Sequence, residues 1–209
     1  MNKPINHRTT PIIMSSYIHQ QRKWPTFQWR EEDFITLLSE VSNLQGRLMG
    51  RVELLGFKLK DEANLEMLIQ DVIQSSEIEG EILNPDQVRS SIATRLGLDQ
   101  SGVDLVDRQV EGVVDMMLDA TQTSDKILTA ERLFGWHAAL FPTGRSGRNK
   151  IEVGQWRTEP MQVVSGGLGR EIIHFEAPHA DRLSNDMDLF LQWFNAIDSL
   201  DPILKAAIT

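Results

Sequence analysis

The residues of this chain whose types and spacing could do chemistry lie in Ser75-Ser76-Glu77-Ile78-Glu79-Gly80. Ser75 and Glu79 are four apart, so a continuing helix stacks a hydroxyl and a carboxylate on one face. Read from spacing alone, this is the solvated end of a helix carrying ordinary acids. Two other stretches invite a chemical reading. Arg145-Ser146-Gly147-Arg148-Asn149-Lys150 is basic and contains glycine, but it lacks the ordered glycine-lysine pattern of a phosphate loop and reads as a solvated connector. His174 and His179 flank Glu176, yet a spacing of five is not a favoured ligand pair on a helix, and no metal set is assigned.

The first of these stretches ends an apolar, helix-patterned run. Leu65, Leu68, Ile69, Val72 and Ile73 follow the spacing of a helix with one buried stripe. The spacing predicts a helix from Asp61, and Gly80 is placed to end it in the left-handed conformation. Upstream, Pro4 and Pro11 mark an irregular arm, and Trp24-Pro25-Thr26-Phe27-Gln28-Trp29 reads as a core anchor. A long helix follows, with Phe34, Leu37, Leu38, Val41, Leu44, Leu48, Val52 and Leu55 on one face. A coiled coil is the alternative for it, and Gly46 and Gly50 would allow close helix contact.

Downstream, Asn84-Pro85 predicts a capped helix running to about Leu96, where Gly97 stops it. A helical stripe follows between Val103 and Ala120: Val106, Val110, Val113, Val114, Met117 and Leu118. Met116 and Met117 read as adaptable core. Thr129 caps a helix to Leu140. Met161-Gln162-Val163-Val164 and Glu171-Ile172-Ile173-His174-Phe175 are β-prone and enclose a glycine-rich tip, predicting a hairpin at about 160–176. Pro178 opens a helix through Leu183, Met187, Phe190, Leu191, Phe194 and Ile197, and Pro202 starts another.

The 209 residues, 41% hydrophobic and 24% charged, suffice for a core in one or two domains. A net charge of −9 argues against a nucleic-acid or anionic-membrane binder, since both need a basic surface. With no cysteine there is no disulfide and no thiolate metal site. The sequence shows no secretory pattern and no apolar run approaching a membrane span, so a cytoplasmic protein is expected.

Ser75-x-x-x-Glu79-Gly80 resembles the inhibitory motif, [Ser/Thr]-x-x-x-Glu-[Gly/Asn], of the Fic family of protein AMP-transferases. The resemblance spans nearly the whole chain. Trp24-Pro25 and the long helix are similar to the family's N-terminal region. Leu140-Phe141-Pro142-Thr143-Gly144, Gly154-Gln155-Trp156-Arg157 and Met161 to Gly166 resemble its approach to the active site and the hairpin called the flap. Leu191-Gln192-Trp193-Phe194-Asn195 resembles the helix beyond. One departure is severe. The family's catalytic run, His-Pro-Phe-x-[Asp/Glu]-Gly-Asn-Gly-Arg-x-x-Arg, does not occur here, and none of His7, His19, His137, His174 or His179 precedes Pro-Phe.

The resemblance implies a mainly α fold, a Fic-like helical bundle with one short β-hairpin. It would comprise an N-terminal region (1–100) carrying an inhibitory helix at about 61–80 and an incomplete core (101–209). It implies ATP and Mg²⁺ in a complete enzyme that transfers AMP to a hydroxyl of an unidentified target protein. No catalytic residue is assigned within this chain. Glu79 would pair with the second arginine of the catalytic run, which otherwise holds the γ-phosphate, and Ser75 would help fix the helix beside the nucleotide. Met161, Gln162, Val163 and Val164 with Ile172, Ile173, His174 and Phe175 would hold the target in register as an added strand. The chain then reads as the N-terminal part of such an enzyme, ending ahead of its catalytic loop. The alternative is a stand-alone, antitoxin-like module that restrains a separate Fic core. Self-association is compatible with either reading.

Overall fold

The computed structural model describes residues 17–54, 57–98, 106–147, 149–167, 170–197 and 200–209. The irregular arm with Pro4, Pro11 and His7 therefore lies outside the described residues. So do Leu55, Val103, Arg148, and Leu168 and Gly169 of the hairpin tip.

The fold is mainly α. Its centre is a three-helix core of α2 (Phe57–Ile78), α3 (Pro85–Arg95) and α4 (Arg108–Gln122). Leu65, Leu68, Ile69 and Val72 of α2 meet Val88, Ile92 and Ala93 of α3 and Val110, Val114 and Leu118 of α4, while Leu83 plugs the turn between α2 and α3. Val72, Val88, Ile92 and Val114 are almost wholly withdrawn from water, each worth about 1.5–3 kcal/mol relative to exposure. This core crosses residue 100, so α4 belongs to the same packed body as the helices before it.

Local chemistry explains the boundaries. Asn84 Oδ1 accepts from the backbone N–H groups of Asp86 (2.9 Å) and Gln87 (3.3 Å), and Pro85 occupies the first helical position. Asp107 caps α4 and Thr129 caps α5 (Ala130–Leu140) in the same manner. Helix α2 begins at Phe57, four residues ahead of the expected Asp61. Helix α6 (Ala180–Asn195) begins two residues after Pro178, and α7 (Pro202–Ile208) is capped by Asp201.

Helices α4 and α5 cross closely at Gly112, where an added Cβ would stand 1.9 Å from the carbonyl oxygen of Ala139. The expected close approach at Gly46 and Gly50 is not found: nothing lies within 4 Å of a Cβ built at either. Both belong to α1 (Ile35–Glu53), a helix with no buried residue. The aromatic cluster before it is not the core anchor that its composition predicts. Trp24, Phe27 and Trp29 are each about two-fifths exposed, and Trp24 meets Phe27 edge to face rather than anchoring the core. Aromatic content signals a need for a partner, not where the partner lies.

The strands form two separate antiparallel pairs. Arg145–Ser146 (β1) with Asn149–Lys150 (β2) turns the expected basic connector into a miniature hairpin. Gln162–Ser165 (β3) pairs with Ile172–Glu176 (β4). Among the described residues no helix is long and apolar enough to cross a membrane.

Candidate functional site

Helix α2 is held by its buried stripe along its second half, so its C-terminal end is carried on a rigid support. Its last helical residue is Ile78, which places Glu79 at the cap instead of within a helical turn with Ser75. The cause is Gly80, whose φ of 83° is left-handed and breaks the helical bonding. The Gly80 N–H donates to the Glu77 carbonyl (3.0 Å), and the Glu81 N–H reaches back to that of Ser76 (2.9 Å). These two bonds make a Schellman cap.

Ser75 is exposed. The next residue, Ser76, is buried and donates its hydroxyl to the Val72 carbonyl at 2.8 Å, so it fixes the last turn from inside. Nothing in the spacing distinguishes the two serines; burial does. The Glu79 carboxylate is exposed and has no hydrogen-bond or ion-pair partner among the described residues. Glu77 is likewise exposed, while Glu81 accepts from Gln109 Nε2 of α4 at 3.1 Å.

Three acids therefore surround a helix C-terminus whose last turn holds no basic residue. The peptide dipoles already place partial negative charge there, so each exposed acid is disfavoured by about 0.3–1 kcal/mol. A cation delivered to this end relieves that repulsion, and a guanidinium can take the Glu79 carboxylate with two parallel bonds. Ile78 and Ile82, on either side of Glu79, are more than four-fifths exposed.

The β3–β4 hairpin is the second part of the candidate site. Gln162 faces Glu176, Val163 faces Phe175, Val164 faces Ile173 and Ser165 faces Ile172. The register skips His174, which is the extra residue of a bulge; its Nε2 lies 2.6 Å from Ser165 Oγ. Met161 precedes the ladder and accepts the Ala177 N–H at 2.9 Å. Val163, Val164, Ile172 and Ile173 are all exposed, although a lone two-stranded hairpin is marginal in water. Its base is braced by Tyr17 and His19, which stack on each other and meet the Phe175 ring edge-on. Arg157 further ties the entry strand down by donating to the carbonyls of Glu159 and Pro178.

A polar staple joins α4 to α5. Asp119 Oδ2 accepts from Arg132 Nε (2.6 Å) and Trp136 Nε1 (2.7 Å), and Oδ1 accepts from Thr123 Oγ1 (2.7 Å). Arg132, which also lies over the Trp136 ring, donates to the backbone carbonyls of Asp119, Thr123 and Lys126. The Arg132 hydrogen bond, with that from Thr123, lowers the Asp119 carboxyl to about 2. The staple was not foreseen, because its members are 13 and 17 residues apart across a loop.

His174 and His179 are not brought into a metal centre, and no group of three or more metal-binding side chains is found among the described residues. A family model described as a domain of unknown function (DUF4172) matches residues 17–98, less than half of the chain. The matched segment ends at Leu98, immediately after the cap of α3. It includes Ser75 and Glu79 and excludes the β3–β4 hairpin. No curated protein matches the chain.

Proposed function

We propose that this chain is the regulatory and flap portion of an autoinhibited Fic-type protein adenylyltransferase, with Glu79 as the inhibitory acid. The observation that carries the reading is the Glu79 carboxylate: exposed, without a partner among the described residues, and set at the glycine-capped end of a helix whose other face is core. In this reading the arginine that should hold the γ-phosphate of ATP belongs to a catalytic motif supplied outside these 209 residues. Glu79 takes that guanidinium in a charge-assisted pair, and the nucleotide binds in a pose unsuited to in-line attack. Mg²⁺ and the catalytic base come with the same motif, and no residue of this chain is assigned to either.

The hairpin supports the same reading. A free strand edge presents unpaired backbone donors and acceptors, so an extended target segment can add to it. Met161, Gln162, Val163 and Val164, or Ile172, Ile173, His174 and Phe175, would set which hydroxyl reaches the phosphate.

The test uses a protein carrying both this chain and the catalytic motif, with transfer of radiolabelled AMP as readout. Glu79→Gly is expected to raise transfer by about ten- to a hundredfold, the worth of one lost hydrogen bond to a charged group. Equal transfer by mutant and parent overturns autoinhibition through this residue. The stand-alone reading uses the same carboxylate on a separate core. It is favoured if adding this chain to such a core suppresses transfer and the Glu79→Gly chain does not.

A further inference from the structure

Helix α1 carries an apolar seam that no described helix or strand covers. Phe34, Leu37, Val41, Leu44 and Leu48 recur at alternating spacings of three and four, the pattern of a coiled-coil seam. Leu44 and Leu48 are each 62% exposed. Among the described residues the one substantial neighbour of α1 is the 3₁₀ turn Glu31–Asp33 that leads into it. Exposure alone does not say what covers the seam; the charges beside it do.

Written as heptads, Phe34, Val41 and Leu48 take position a, Leu37 and Leu44 take position d, and Arg51 takes the next d, where the apolar seam ends opposite Phe34 of an antiparallel copy. One flank, position g, then holds Asp33, Glu40 and Arg47. The other, position e, holds Leu38, Gln45 and Val52 and carries no charge. Asp33 is already paired with Arg30, whereas Glu40 and Arg47 are exposed and have no partner among the described residues.

A parallel pair of such helices sets position g against the uncharged position e and leaves both groups unmatched. An antiparallel pair sets g against g. With Leu37 over Leu48 of a second copy and Val41 over its Leu44, Glu40 falls beside Arg47 of the second copy. Two-fold symmetry repeats that contact, so both charges on both helices are matched. A partner bearing one sign of charge along its flank would satisfy only half of this row.

We propose that α1 is a self-recognition element through which two copies of this chain pair in antiparallel register, with reciprocal Glu40–Arg47 contacts. The inference does not depend on the role given to Glu79. The seam is short, so the dimer is weak and its population follows concentration.

Sedimentation velocity of the whole 209-residue chain over a concentration series tests it. The parent is expected to pass from monomer to dimer. Glu40→Arg and Arg47→Glu should each raise the concentration at half-association about tenfold, because each change reverses two symmetric pairs at once. Both positions are exposed, and far-UV circular dichroism verifies that the variants stay folded. An equimolar mixture of the two variants restores both contacts across the interface and should recover association; so should the double variant alone. The proposal fails if the parent stays monomeric throughout, if the single reversals leave its dimer unchanged, or if mixing does not rescue it.

Discussion

At the end of α3, Gly97 takes the left-handed turn with a φ of 70°, and the Leu98 N–H reaches back to the Ala93 carbonyl at 2.9 Å. At the end of α2, Gly80 and Glu81 do the same against Ser76. The backbones stop by one device, and each end has a side-chain bond to α4, but the two differ in charge and in apolar cover. Leu96 and Leu98 pack onto the core beyond α3, while Arg95 in its last turn offsets the helix dipole and bonds Asp115 and Ser91. Beyond α2 the matching positions hold acids, no base lies in the last turn, and the neighbouring isoleucines face water. One end is finished by the chain itself. The other is stable in backbone and, among the described residues, unmatched in charge and without apolar cover.

Mutations can break this contrast or sharpen it. The largest stability effect lies in the shared support. Ile92→Ala opens a cavity in the core and should cost about 2–5 kcal/mol in denaturant unfolding. Ile78→Ala at the α2 end should stay within about 0.5 kcal/mol. A comparable loss at Ile78 would mean that this end is already covered in solution. Next come the two glycines. Gly80→Ala and Gly97→Ala should each cost about 1–2 kcal/mol, since both force a side chain into the left-handed region. A large difference between them would show that the two caps are not equivalent.

Smaller still, Glu79→Lys should stabilise this chain by about 0.3–1 kcal/mol by placing a cation at the negative helix end. In a protein with the catalytic motif, the same change should release AMP transfer. A site shaped by stability alone predicts no such opposition. The smallest effect is a slope with pH. Asp119 is held at about 2 when folded, below its ordinary value of about 4. Its contribution is therefore fully present above pH about 4 and is lost as pH falls through about 2. Its carboxylate is partly open to water, so the effect is screened. Comparing acid unfolding of the parent with Asp119→Asn reads it, and parallel curves across that window would rule the contribution out.

Much of the fold was legible because its signals are local. Asn84-Pro85, Thr129, Gly80 and Gly97 act on bonds within a few residues of themselves, and the stripes on α2 and α4 report burial through spacing alone. The start of α2 was missed because the apolar stripe that marks the helix begins only at Leu65, two turns inside it. Gly112 was missed because a glycine within a helix does not reveal which backbone crosses it. At the candidate site, the sequence supplied Ser75, Glu79 and the hairpin. It could not separate exposed Ser75 from buried Ser76, nor show that Glu79 sits at a cap, because both depend on what the neighbouring turn contacts. The Trp24 to Trp29 cluster marks the same boundary, since its composition was plain and its location was not.

The side-chain amide of Asn195, at the last turn of α6, accepts from the Leu128 N–H and donates to the Leu128 carbonyl, both at 2.8 Å. Leu128 precedes α5 and belongs to no helix or strand, so its amide proton owes its shelter to a residue 67 positions away. Exchange of that single proton with solvent thus counts the moments at which α6 lifts from its seat, against the slower clock of the core amides of Ile92 and Val114.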